Sequence, residues 1–239
     1  MIELETQRLG DHDILHAFPA GKGQQALPVV VFYHGFTSSK LVYSYFSVAL
    51  ALAGFRVVMP DAPEHGGRFN GNEQARLNRF WQILQGSLIE FSGLRDALYQ
   101  AGLVADNRLA VAGASMGGMT ALGIMSRHPE VKCVASLMGS GYFTSLSRTL
   151  FPPQSQDDLT SLAEWEVTHA LPSLANRPLF LWHGEADDVV PAAETFRLQQ
   201  ALQREGLDDN LTCLWEAGVR HRITPTALDA TIAFFRQHL

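Results

Sequence analysis

The chain has 239 residues, 46% of them hydrophobic and 18% charged, with a formal net charge of -6. That composition is typical of soluble globular proteins, and the length suits one domain burying roughly three quarters of the surface its unfolded form exposes. An acidic balance without a Lys/Arg run argues against nucleic acid as a partner, and no apolar stretch approaches the roughly 20 residues of a membrane span.

The opening residues, MIELETQRLGDHDIL, are acidic and polar and do not read as a signal peptide. Cys133 and Cys213 sit in apolar runs and are expected as reduced, buried thiols. A cytoplasmic protein is the expectation.

Strand-like and helix-like runs alternate, the order of a parallel sheet with crossover helices. Residues 2–18 are read as antiparallel edge strands. Val29 to Tyr33 is the first buried strand, its β-branched and aromatic run suiting cover on both faces. A helix is expected over 40–53, stopped by Gly54, then a strand over Phe55–Met59 ended by Pro60-Asp61. A long helical region spans 72–100, with a break or bend expected at Gly86 and Gly93. The strand Arg108–Ala112, a glycine-rich turn and a helix over 116–127 follow. Further strands are expected at 133–138, 179–182 and 211–215, with helices at 192–204 and 225–237. Between 141 and 177 no strand pattern appears. This excursion carries Pro152-Pro153, Asp157-Asp158 and a helical run near 159–169, and is read as a small lid within one domain of residues 1–239.

Gly113-Ala114-Ser115-Met116-Gly117 matches G-x-S-x-G. The pattern alone is weak, and a glycine-rich turn with a capping serine is the competing explanation. A strand before it and a helix after it are the context that turns it into a nucleophile elbow. Small flanking residues let strand and helix approach, and the turn lifts the hydroxyl to the positive end of the helix. Such a serine needs a base, and in this arrangement acid and then base follow it in the chain. Asp187 or Asp188 in His183-Gly184-Glu185-Ala186-Asp187-Asp188, and His221 before the last helix, fill those places.

Most of the other histidines have plainer readings. His128 and His238 end helices, His169 is solvated, and His183 orients the acid loop. His12 and His16 lack a carboxylate spacing that completes a metal site, so no metal is expected. Asp61 and His65 precede the serine and are read as scaffolding at the rim.

His34-Gly35-Phe36 ends the first buried strand. Its loop is expected to supply one oxyanion-hole donor, the Phe36 N–H, and Met116 the other. Tyr33, Phe143 and Trp165 are expected to line the substrate pocket.

Together H-G-F, D-x-P-x-H-G, G-A-S-M-G-G, H-G-x-x-D-x-x-V-P and a late H-R-I resemble the α/β-hydrolase superfamily. Within it they are most similar to the dienelactone-hydrolase and prolyl-oligopeptidase-like branch and its YjfP-type bacterial carboxylesterases. The resemblance covers nearly the whole chain. It implies a mostly parallel sheet with helices on both faces, Asp187 rather than Asp188 as the acid, no cofactor, and short-chain carboxylesterase activity on a small-molecule ester. Two departures stand out. Dienelactone hydrolases use cysteine where Ser115 stands, and prolyl oligopeptidases carry a further large domain for which this length leaves no room. A peptidase or amidase, a thioesterase and a non-catalytic ligand binder are the alternatives. The apolar residues Phe143, Leu146, Leu150, Phe151 and Trp165 suit a dimer patch as well as a pocket, so the oligomeric state stays open.

Overall fold

The structure, a computed structural model, describes residues 1–153 and 157–239. Its centre is an eight-stranded sheet in the order β1-β2-β4-β3-β5-β6-β7-β8. The strands are β1 (Ile2–Leu9), β2 (His12–Pro19), β3 (Leu27–Tyr33), β4 (Arg56–Pro60), β5 (Val104–Ala114), β6 (Val134–Leu137), β7 (Leu179–Gly184) and β8 (Leu211–Glu216). β1 and β2 form an antiparallel hairpin, β2 joins β4 antiparallel, and every other pairing is parallel. This is the α/β-hydrolase architecture, with a central sheet covered on both faces.

Alternation along the strands sorts the core into two layers. Val29, Val31 and Tyr33 face α3 (Phe80–Gln100) and α4 (Met116–Arg127). Val30 and Phe32 face α1 (Ser44–Leu52) and α9 (Pro225–His238). Because side chains alternate faces, a sheet covered twice needs apolar residues at both parities. That is why β3 reads as a continuous hydrophobic run.

The helical region expected over 72–100 is two helices, α2 (Glu73–Asn78) and α3, separated at Arg79. α3 runs unbroken through Gly86 and Gly93, so the expected breaks there are corrected. A Cβ on Gly86 would sit 2.8 Å from Pro63 Cγ, so this glycine serves close packing. Residues 141–177 carry α5 (Phe143–Leu146), α6 (Asp157–Ala163) and α7 (Leu171–Ala175), and residues 154–156 of the expected lid lie outside the described residues. Leu162, Val167, Leu171 and Leu174 of this segment belong to the core on the α3–α4 side. α8 (Ala192–Arg204) completes the layer. Among the described residues no helix is long and apolar enough to cross a membrane.

One buried charge fastens the edge of the sheet. Arg56 is fully buried and donates to His16 Nε2 and to the carbonyls of Lys22, Gly23 and Gln25. Burial, with Arg56 adding to it, pushes the His16 imidazole down to about 4 from its ordinary 6.5. Burial pushes His34 down as well. The unfolded chain therefore takes up protons at these sites below about pH 6.5 that the folded chain refuses. Stability they contribute at neutral pH is lost progressively as the pH falls from 6.5 towards 4, by about 3 kcal/mol for His16. Urea unfolding at pH 7.5, 6 and 5 is expected to show a falling midpoint; a midpoint equal at all three would contradict it.

Candidate active site

The sharp turn between β5 and α4 holds Ser115 at φ 58° and ψ -118°, a left-handed region that non-glycine residues seldom occupy. The turn is held by the Ser115 N–H donating to Leu137 O at 2.8 Å and the Met119 N–H to Ser115 O at 3.0 Å. The flanking glycines are required by contact. A Cβ on Gly113 would lie 2.2 Å from Gly117 O, and one on Gly117 would lie 2.0 Å from Tyr33 O. Backbone is the neighbour in both cases and cannot rotate away. Gly117→Ala is therefore expected to cost at least about 3 kcal/mol of stability, beyond the usual range for overpacking, read as a lower thermal midpoint. A midpoint within a degree of wild type would mean the elbow is less tightly packed than this geometry requires.

Three side chains from three loops converge at this turn. His221 Nε2 lies 2.9 Å from Ser115 Oγ, and His221 Nδ1 lies 2.7 Å from Asp187 Oδ2. Asp187, after β7, has a fully buried carboxylate. Its Oδ1 accepts the Val189 and Val190 N–H groups at 2.9 and 3.0 Å. Burial alone would raise this carboxyl. The bonds from His183, His221 and the Val189 N–H outweigh burial and hold it well below the usual carboxylate range. Asp188 points outward instead and pairs with Arg220.

A small groove opens over Ser115, a cavity of about 270 Å³. Phe36, Val42, Tyr43, Tyr45, Met138 and Ile223 give it apolar and aromatic walls. Among the described residues the Phe36 and Met116 N–H groups meet no protein acceptor, whereas the neighbouring Thr37 N–H donates to His65 Nε2 at 2.9 Å.

The loop carrying Phe36 is fixed by buried polar groups. His65 Nδ1–H donates to Pro63 O at 2.8 Å, and His34 Nε2 accepts the Ala62 N–H at 3.0 Å. Asp61 accepts from Lys40 Nζ at 2.6 Å, from the Lys40 N–H at 2.9 Å and from the Gly67 N–H at 3.1 Å. Burial pushes Asp61 up, and these donors, Lys40 chief among them, bring it below its ordinary value. Asp61 and His65 thus sit where the sequence put them, in scaffolding. Lys40 gave no signal, because its partner lies 21 residues away and only the fold brings them together.

Three expected pocket residues are corrected. Tyr33 points to the α3 face and lines a different, narrow cavity with His12, Ser87 and Glu90. Phe143 is fully buried against Trp81. Trp165 stacks on His128, with Arg127 against its ring. None of the described residues of 141–177 lines the groove at Ser115, because that segment packs on α3 and α4 rather than over the elbow. The groove walls come instead from Val42, Tyr43 and Tyr45, which carried no motif, and from Phe36, Met138 and Ile223.

The chain matches the family model described as the prolyl oligopeptidase family over residues 43–239, and that of platelet-activating factor acetylhydrolase, isoform II, over residues 16–69. It is 60% identical over 249 aligned positions to Esterase YjfP of Escherichia coli strain K12, with both chains fully covered. It is 31% identical to Putative esterase YitV of Bacillus subtilis strain 168, again over the whole of both chains. Among solved structures, TT1662 from Thermus thermophilus superposes with a TM-score of 0.82 at 22% identity, covering 99% of this chain and 98% of that one.

Proposed function

The chain belongs to the prolyl oligopeptidase family of serine hydrolases, and from that premise we propose that it is an esterase cleaving small, short-chain carboxylic esters through Ser115, His221 and Asp187. The observation that carries this reading is the unbroken relay from Ser115 Oγ to His221 at 2.9 Å and from His221 to Asp187 at 2.7 Å.

In this reading His221 Nε2 takes the Ser115 proton as Oγ attacks the ester carbonyl. Asp187, anionic and accepting from Nδ1–H, selects the tautomer that leaves Nε2 free and stabilises the imidazolium that forms. The negative oxygen of the tetrahedral intermediate is received by the Phe36 and Met116 N–H groups, two fixed donors that need no reorganisation. His221 then gives its proton to the leaving alkoxide, leaving an acyl-serine. A water activated by the same imidazole cleaves it. No step calls for a metal or cofactor. A cytoplasmic setting fits two free cysteines whose thiols burial pushes up to about 12, which keeps them unreactive.

Short-chain preference is supported by the groove volume, about 270 Å³, at the low end for ligand sites. The experiment is a series of p-nitrophenyl esters, from acetate through butyrate to octanoate, beside p-nitroanilide and thioester analogues. Acetate and butyrate are expected to give the highest kcat/KM. A maximum at octanoate would overturn the chain-length reading, and faster anilide or thioester cleavage would move the assignment to a peptidase or a thioesterase.

A further inference from the structure

His183 is fully buried at the end of β7 and takes no direct part in the chemistry just described. Its ring lies against the acid. Its Nε2–H donates to Val190 O at 2.9 Å, and Nε2 lies 3.2 Å from Asp187 Oδ2, the same oxygen that accepts His221 Nδ1–H. Both neighbours of Nε2 are acceptors, so Nε2 carries the proton. In a neutral ring Nδ1 is then an acceptor, and the Thr195 hydroxyl of α8 lies 2.7 Å from it. That hydroxyl has an alternative acceptor in Gly139 O at 3.3 Å, a longer contact. The chain of groups runs Thr195, His183, Asp187, His221, Ser115.

The consequence is geometric. Two backbone N–H groups fix Oδ1 of Asp187. Without His183, the bond to His221 alone would hold Oδ2, and His221 sits partly open to the groove. We infer that His183 is a positioning residue: an imidazole N–H shared between Val190 O and Asp187 Oδ2 that fixes that oxygen independently of His221, so that the carboxylate keeps its place while His221 swings between the serine and the leaving group. It is second-layer support of the kind that holds ligand histidines at metal sites, with the roles of histidine and carboxylate exchanged. The inference rests on the triad reading above.

The test is steady-state kinetics on p-nitrophenyl acetate for wild type, His183→Leu and His183→Gln, with thermal melting of each. It is joined by nitrogen-15 NMR of the histidine rings of the wild-type protein. Glutamine keeps an N–H near the place of Nε2, and leucine does not. In the leucine variant kcat is expected to fall about 10-fold with KM within about two-fold, since orientation rather than substrate binding is lost. The glutamine variant is expected to recover most of kcat. The wild-type spectrum is expected to show His183 as the Nε2–H tautomer. A folded leucine variant with wild-type kcat, a glutamine variant no better than leucine, or an Nδ1–H tautomer would each overturn the inference. The tautomer is read without any activity, so it stands if the leucine variant does not fold. It also separates failure of this inference from failure of the triad, which only loss of activity at Ser115 tests.

Discussion

Ser115→Ala is expected to lower kcat/KM for p-nitrophenyl acetate by roughly 10⁵- to 10⁶-fold, the size of effect seen when a triad nucleophile is removed, while the protein stays folded. Among the described residues Oγ is the only nucleophile bonded to His221 Nε2, so no neighbour among them replaces it. The small residual rate comes from binding and the oxyanion donors, which the substitution leaves in place. Stability should change little. Alanine keeps the same strained backbone, and among the described residues the lost hydroxyl made one hydrogen bond, to His221. Activity near wild type in the alanine variant would remove Ser115 from the mechanism. A fluorophosphonate probe offers a second reading, labelling wild type and leaving the alanine variant unlabelled.

The second large effect distinguishes two adjacent carboxylates. Asp187→Asn should reduce kcat by about 10⁴-fold, because the new amide donates where the carboxylate accepted and forces the wrong tautomer on His221. Asp188→Asn should leave kcat within about two-fold, since that side chain faces solvent and pairs with Arg220. Steady-state kinetics on both variants decides the point. Equal losses in the two, or a greater loss at Asp188, would reverse the assignment. The contrast holds despite one residue of separation, because the turn after β7 aims successive side chains in opposite directions.

The asymmetry between these neighbours shows where sequence reasoning loses its hold. From residue types alone, Asp187 and Asp188 were equivalent candidates, and only the family pattern preferred the first. The structure separates them by burial and by hydrogen bonds. The Val189 and Val190 N–H groups, His183 and His221 all converge on Asp187. The reach of the insertion was equally hidden. Phe143 and Trp165 looked like pocket residues because they are apolar and lie in a segment without strands. Their burial against α3 and α4 depends on Trp81, Phe91 and His128, distant in the chain.

The sequence by itself determined the order and type of the main elements, the parallel sheet, the elbow at Ser115 and the candidate status of His221 and Phe36. Those signals are local. Alternation reports which strand is covered on both faces, glycines report where backbones must touch, and a residue just beyond a strand reports the functional edge of a parallel sheet. Only the tertiary structure decided which aspartate meets His221, that His183 leans on the same oxygen, that Lys40 neutralises Asp61 beneath the Phe36 loop, and that Val42, Tyr43 and Tyr45 rather than the described residues of 141–177 wall the groove. Each of these rests on contacts between segments far apart in the chain, and periodicity within a segment does not carry that information.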